Sequence, residues 1–200
     1  MSPRPRKVSD DDVFMAMHRA MSRLGPGELT LAEIAAEAGV TAGALVQRFG
    51  SKRDLLLALS ERFSGGTKEM FGALRAANRS PLTALRAYGD GISGLATSPE
   101  ALARNLSYLQ IDLTDPELRK HLVAQARASR AQLQSLIKDA IAAGELVRDT
   151  NPTRLARTVE AILGGSMMAW AYYEEGSATQ WMRDDLEAVL APYLKKKKKR

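Results

Sequence analysis

The chain of 200 residues is predicted to be all-α, with about nine helices and no sheet. Three observations predict this. Cap residues followed by a proline, or by an acidic or amide residue three positions on, recur along the chain. Apolar residues between those marks return at helical spacing, and no segment alternates with a period of two for more than a few residues. No repeat of solenoid length is visible.

Each helix has its own justification. Ser9-x-x-Asp12 opens a helix over about 9–24, whose inner stripe is Val13, Met17, Ala20 and Leu24. Thr30-x-x-Glu33 opens a second over about 31–38, and Thr41 a third over about 41–48. Ser51-x-x-Asp54 opens a longer one near 51, with Leu55, Leu56, Leu59 and Phe63 on one face. Ser80-Pro81, Ser98-Pro99, Asp115-Pro116 and Asn151-Pro152 each place a cap before a proline at the first helical position, where the missing N–H is harmless. Leu133, Leu136, Ile137 and Ile141 form a further stripe, and Ser177-x-x-Gln180 opens the last helix, about 178–194. Gly25, Gly39, Gly50, Gly144 and Gly176 read as left-handed stops. Gly89, Gly91 and Gly94 crowd a helix expected over Tyr88 to Ala96, each costing roughly 0.5–1 kcal/mol against Ala. They mark space for a ligand, a segment that shifts, or simply a frayed helix.

Composition narrows the class of protein. With 45% hydrophobic and 26% charged residues the chain is globular rather than disordered. Lys and Arg number 29 and Asp and Glu 23, a formal +6, but Lys195 to Arg200 supply all of that excess. The tail is an appended scar or a disordered end, so a case for nucleic acid must come from elsewhere. No cysteine is present, which excludes disulfides, thiolate zinc and a cysteine nucleophile and fits a cytoplasmic location. The first residues contain no apolar signal-peptide core, and the longest nearly apolar stretch, Ala161 to Tyr173, is too short to span a bilayer. No membrane association is expected, and a membrane-surface role resting on the lysine tail alone has weak support. His18 and His121 are the only histidines, and no P-loop, Gly-x-Ser-x-Gly or His-Glu-x-x-His occurs. Asp112, Asp115 and Glu117 near His121 read as acidic residues at the positive end of a helix rather than as metal ligands. No enzyme activity, cofactor or metal is therefore expected.

The stretch Thr30 to Leu45 carries a functional signal. Leu31, Ile34, Ala35 and Ala38 form the buried stripe of one helix, Gly39 suits a tight turn, and Val40 plugs the angle between two helices. Thr41 caps the next helix and leaves free N–H groups facing an anion such as phosphate. Leu45 and Phe49 point inward, so Ala42, Gly43, Val46 and Gln47 are expected to face away from the core. In a helix-turn-helix that outer face lies in the major groove. The plain alternative is three packed helices around an ordinary Ala-Gly turn.

Phe49-Gly50-Ser51-Lys52-Arg53-Asp54-Leu55 follows directly, and with it the stretch from Leu29 to about Leu59 resembles the TetR family of transcriptional regulators. The resemblance implies that Thr30 and Thr41 touch phosphate, that Gly43 permits close approach of the helix backbone to DNA, and that Lys52 clamps a phosphate at a helix N-terminus. The chain departs from the family at Val46-Gln47-Arg48-Phe49, where an aromatic-x-His/Tyr-Phe run is usual. Val46 has no tyrosine hydroxyl to offer a phosphate; it suits a thymine methyl instead, Gln47 suits adenine, and Arg48 is expected to restore backbone charge. Before this module, Arg4, Arg6 and Lys7 interleave with prolines as an arm that enters the minor groove or follows phosphates, or as an idle terminus.

The remainder is nearly neutral, with 14 basic and 15 acidic residues over 63–194. By resemblance it holds a ligand pocket and a dimer interface. Met70, Phe71, Tyr88, Ile92, Tyr108, Met167 and Trp170 are the candidate pocket lining, although each singly also suits ordinary core. The helix after Pro152 and the last helix offer Val159, Ile162, Gly165, Ser166, Ala169, Trp181, Leu186 and Val189 for dimerisation. The expected organisation is a basic arm (1–8), a DNA-binding domain (9–55), a ligand-binding and dimerisation domain (56–194) and a basic tail (195–200). The implied function is a repressor that binds a palindromic operator in double-stranded DNA as a homodimer, nucleoid-associated when bound, and released by a small, largely apolar effector. The alternative is a helical small-molecule-binding or interaction protein with a degenerate DNA-binding module.

Overall fold

The computed structural model describes residues 8–195. Its ten α-helices are α1 (Asp10–Arg23), α2 (Leu31–Ala38), α3 (Ala42–Phe49), α4 (Lys52–Gly65), α5 (Thr67–Ala77), α6 (Pro81–Ser93), α7 (Pro99–Thr114), α8 (Pro116–Ala142), α9 (Pro152–Tyr173) and α10 (Ala178–Leu190), with a 3-10 turn over Ala191–Tyr193. The chain is all-α, with one helix beyond the nine expected. α4 and α5 part at Gly66, which caps α5 without a side-chain hydrogen bond, so no cap residue announces the break in the sequence. Arg4, Arg6 and Lys7, and the tail from Lys196, lie outside the described residues.

The caps form as their chemistry requires. Ser9 accepts from the Asp12 N–H and Asp12 answers to the Ser9 N–H at 2.8 Å; Ser51 and Asp54 exchange the same pair of bonds, each at 3.1 Å. Ser98 and Asn151 accept from the Ala101 and Arg154 N–H groups, and Asp115 from Glu117 and Leu118. Gly39, Gly50, Gly144 and Gly176 have the positive φ expected of helix stops. Gly25 does not: α1 ends in an extended Leu24 whose N–H still reaches the Ala20 carbonyl, so no left-handed residue is needed there.

Contacts divide the chain into two units: residues up to Phe63 together with Ala103–Leu122, and Ser64–Leu102 together with the residues from Val123 on. The boundary expected at residue 56 falls within the first of these units, and 103–122, expected in the second domain, packs with the first. The cause is visible in the first unit's core. Val13, Met17, Ala20, Leu29, Ile34, Ala35, Leu45, Leu55 and Leu59 are buried with Tyr108 among them, and the Tyr108 hydroxyl donates to the Leu24 carbonyl at 2.8 Å. Burial, with the Glu28 charge adding to it, pushes the Tyr108 phenol up to about 12. Arg104 donates to the Ser22 carbonyl at 3.2 Å. These links join residues some eighty positions apart, which no local pattern marks.

The second unit has its own core, built on Phe71, Leu82, Leu85, Leu133, Leu136, Ile137, Leu155, Val159, Leu163, Met182, Leu186 and Leu190. Within it α6 runs unbroken through its glycines. A Cβ on Gly89 would lie 3.1 Å from Leu186 and 3.4 Å from Leu163, so this glycine lets α6 cross α9 and α10 closely. It does not mark fraying.

Candidate nucleic-acid interface

α2 and α3 are short, eight residues each, and meet at Gly39 (φ 70°). Both begin with a threonine cap. Thr30 Oγ1 accepts from the Glu33 N–H and Thr41 Oγ1 from the Ala44 N–H, each at 3.1 Å. A threonine hydroxyl that accepts in a cap still has its own proton to donate. The N–H groups of Ala42 and Gly43 precede the first acceptor within α3, so they point out of the helix end. Thr41 and Gly43 are exposed. The start of α3 therefore presents N–H and O–H donors at the positive end of a helix dipole, the arrangement that holds a phosphate.

The outward face of α3 differs from the expectation at two positions. Gly43, Val46 and Gln47 are exposed, Val46 at 51%. Ala42 is half-buried and packs against the unit's core, while Ala44 is exposed. At about 100° per residue, Ala42 lies roughly 40° from the mean direction of Leu45 and Phe49, and Ala44 roughly 120° away. Ala44 therefore joins Gly43, Val46 and Gln47 on the outward face in place of Ala42.

Gly43 has no reason within the chain to be glycine. Its φ is not positive, and a Cβ there would meet only Thr41 Oγ1, at 4.0 Å. In a helix such a glycine costs about 0.5–1 kcal/mol against alanine.

Two basic residues assigned to phosphate hold protein groups as well. The Lys52 ammonium, at the start of α4, donates to the Leu29 carbonyl at 2.7 Å and the Pro26 carbonyl at 3.0 Å. An ammonium has three donors, so one remains for an anion beside Thr30 and the α4 N-terminus. Arg48 donates to the Val8 carbonyl at 2.9 Å, pairs with Asp10, and lies over the Phe49 ring, 5.3 Å from its centroid. The guanidinium expected to serve as backbone charge is thus occupied at the start of α1.

Other charges brace the module. Arg19 and Arg23 both reach Glu37, whose carboxyl they hold below its usual range. Arg53, next to Lys52, donates to Asp115 at 2.7 Å and to Glu117 at 2.6 Å, and its guanidinium holds the Asp115 carboxyl low. Neither network is legible in the sequence, because a guanidinium pairs across any distance along the chain.

In the second unit the candidate pocket residues do not share one environment. Phe71 is buried and its ring stacks on Tyr88 with centroids 5.1 Å apart. Tyr88, Ile92 and Met167 are half-buried against the same core. Met70 is exposed. Trp170 sits in a smaller cluster with Ala96, Leu102 and Ala178, and its indole donates to the Gly176 carbonyl at 3.3 Å. Tyr108 belongs to the first unit. A groove of about 180 Å³ between α6 and α10 is lined by Gly89, Met182 and Leu186 and flanked by the pairs Arg86–Glu187 and Arg183–Asp90; none of the seven candidates lines it.

The dimer candidates divide sharply. Val159, Ser166 and Leu186 are buried inside their own subunit, Ser166 bonded to Asp185 at 2.5 Å. Ile162 and Val189 pack against that core, Ala169 is half-buried, and Trp181 donates to the Glu175 carbonyl at 2.6 Å. Only Gly165 is exposed. The free face of α9 is instead Thr158, Ala161, Gly165 and Tyr172, with Met168 half-exposed, at alternating spacings of three and four. Most of the apolar run of α9 covers the subunit's own core.

The fold and this surface define a helix-turn-helix protein. Residues 16–59 match the model of the tetR family of bacterial regulatory proteins, and residues 108–186 match the tetracyclin repressor-like C-terminal domain. These matches take in more than half of the chain, which belongs to the TetR family. No curated protein matches it. Its fold is similar to that of a TetR transcription regulator from Haloarcula marismortui, at 17% identity over 93% of this chain and 98% of that one, with a TM-score of 0.74. It is also similar to SmeT, the repressor of the SmeDEF multidrug efflux pump of Stenotrophomonas maltophilia (22% identity, 94% and 92% of the chains, TM-score 0.65). A third similar structure is the regulator FadR of Bacillus subtilis in complex with stearoyl-CoA (16% identity, 92% and 98% of the chains, TM-score 0.68). Among the described residues no helix is long and apolar enough to cross a membrane.

Proposed function

We propose that the protein is a transcriptional repressor that binds a palindromic operator as a homodimer and is released by a small, largely apolar effector. The observation that carries this reading is Gly43: an exposed helical glycine where an added Cβ would make only one ordinary contact, beside the Thr41 cap and the free N–H groups of α3. A partner that must approach the helix backbone explains the missing side chain, and the donors around it fit phosphate. Thr30 and Lys52 supply the second phosphate cluster, and Val46, Gln47 and Ala44 face the bases.

Dimerisation is assigned to the free face of α9. Ala161 and Gly165 are small enough for a second α9 to approach closely across a two-fold axis, with Tyr172 at one end of the stripe. A dimer is required by the reading itself, since one short recognition helix covers only a half-site. The effector is assigned to the second unit, where Tyr88, Ile92 and Met167 pack against the core and are themselves only partly buried. The stearoyl-CoA bound to FadR and the multidrug pump controlled by SmeT favour an apolar effector. α7 and α8 contain residues of both units, which gives ligand and DNA a route to the reciprocal coupling that release requires.

The test is binding of the full-length protein to DNA from upstream of its own gene, at several salt concentrations. The reading predicts tight binding that falls steeply with salt and is abolished by Thr41→Ala with Lys52→Ala. Equal binding by that double variant overturns the assigned surface. Fatty acyl thioesters and hydrophobic drugs then serve as the first panel for release.

A further inference from the structure

We infer that α9 pairs antiparallel with α9 of a second copy, about an axis level with Leu163, so that Arg154 of each subunit meets Tyr172 of the other. The inference rests on the dimer reading above and fixes its direction and register. The free face of α9 has the same pattern read from either end: Arg154, Thr158, Ala161, Gly165, Met168 and Tyr172 follow at spacings of four, three, four, three and four. At about 100° per residue, the 18 positions from Arg154 to Tyr172 are five whole turns, so both residues lie on one line along the helix. All six are exposed except the half-buried Met168. Contacts across a two-fold axis are reciprocal, residue i on j and j on i. With the axis level with Leu163, Ala161 faces Gly165, Thr158 faces Met168 and Arg154 faces Tyr172, each pair occurring twice.

Three features of the single subunit fit this pairing. A Cβ on Gly165 would meet nothing within 4 Å, so the subunit itself gives no reason for a helical glycine there; close approach by Ala161 of a second copy does. Tyr172 is 72% exposed, the most of any large hydrophobic residue described. Among the described residues no hydrogen bond or ion pair holds the Arg154 guanidinium, and a guanidinium over a tyrosine ring satisfies both groups. The two ends of α9 also differ in charge: Arg154 and Arg157 lie in its first two turns, and Glu174 and Glu175 just past its last. Antiparallel pairing sets each end, and each end of the helix dipole, beside its opposite. Parallel pairing sets Arg154 on Arg154 and Glu174 on Glu174.

The test is disulfide trapping of the full-length protein, which has no cysteine of its own. A disulfide needs Cα atoms within about 7 Å. At about 1.5 Å per residue, the two copies of position 158 are about 15 Å apart along an antiparallel pair, as are the two copies of position 168. Thr158→Cys with Met168→Cys is therefore expected to give a covalent dimer under mild oxidation, and each single variant to stay at monomer mass on a non-reducing gel. Ala161→Cys with Gly165→Cys, at the centre of the crossing, is expected to lock as well. Arg154→Ala is expected to weaken the dimer roughly 5- to 30-fold in sedimentation, because two equivalent contacts are lost. Arg154→Tyr with Tyr172→Arg restores the pair in reverse and is expected to recover most of that affinity, which a merely structural role for either residue does not allow. Thermal unfolding within a few degrees of wild type shows that each variant is folded. Cross-linking of a single Thr158→Cys or Met168→Cys variant to its own copy shows parallel pairing and overturns the inference. So does a dimer that neither double variant locks, or a reversed pair as weak as Arg154→Ala. Failure of the underlying reading is seen separately, as a wild-type protein that sediments as a monomer.

Discussion

Gly43→Ala sets stability and DNA binding in opposition. The nearest atom to an added Cβ is Thr41 Oγ1 at 4.0 Å, ordinary contact, and φ is not positive. Alanine therefore fits the free protein without strain and removes the entropy cost of a helical glycine. Gly43 is in the first turn of α3, so the gain is expected near the low end, about 0.5 kcal/mol. For a chain of this size that raises the unfolding midpoint by roughly 1–2 °C. On DNA the same methyl occupies the space through which the helix backbone approaches. Displacing the helix by a methyl radius loses at least one positioned contact, on the order of 1–3 kcal/mol, a weakening of roughly 5- to 150-fold. Fluorescence anisotropy with a labelled upstream duplex measures the affinity, and a thermal scan measures the midpoint. Gly91→Ala is the control, since Gly91 is an exposed glycine of α6 with no atom within 4 Å of its Cβ position; it is expected to stabilise and leave affinity unchanged. A Gly43→Ala protein that binds DNA as tightly as wild type refutes the reasoning.

Further outcomes follow from other parts of the structure. Ala161→Arg on the free face of α9 is expected to convert a dimer into a folded monomer in sedimentation, and to weaken operator binding with it. Lys52→Met loses two bonds to carbonyls and is expected to destabilise by about 1–3 kcal/mol in urea unfolding. Glu37, Asp54 and Asp115 are held low in the folded state by Arg19 and Arg23, by Ser51, and by Arg53 respectively. Their contribution is complete above the ordinary carboxylate range and is lost as pH falls through the lowered folded values. Stability is therefore expected to be flat in these groups from pH 7 to 5 and to fall below about pH 4, and Arg53→Gln to shrink the Asp115 part of that fall. Tyr108 has the opposite sign. Its phenol stays protonated to about 12 in the folded state, so the unfolded chain ionises first and stability declines from about pH 10 upward; Tyr108→Phe is expected to reduce that alkaline loss, leaving the share of Tyr88, whose phenol burial also pushes up.

What the sequence revealed were interactions that are local along the chain. Cap, proline and stripe all lie within four residues of one another, and so Ser9, Thr30, Thr41, Ser51 and Asn151 open helices where read. The helix-turn-helix was legible for the same reason. Packing across the chain was not. Tyr108 reads as one more aromatic of the larger half, yet it completes the core of the first unit. Val159 and Ser166 of α9 and Leu186 of α10 read as interface because both helices carry apolar stripes, and only the packing of α6, α9 and α10 together shows which sides are already covered. Lys52 reads as a phosphate ligand by resemblance and Arg48 as backbone charge, and the hydrogen bonds they also make depend on where Val8, Pro26 and Leu29 come to lie.

A hydroxyl-radical footprint of the full-length protein on its own upstream DNA tests the central claim most directly. Two symmetry-related patches of protection are predicted, centred about one helical turn apart or a multiple of it, and absent with Thr41→Ala and Lys52→Ala. Protection without two-fold symmetry, or a footprint retained by that double variant, contradicts it.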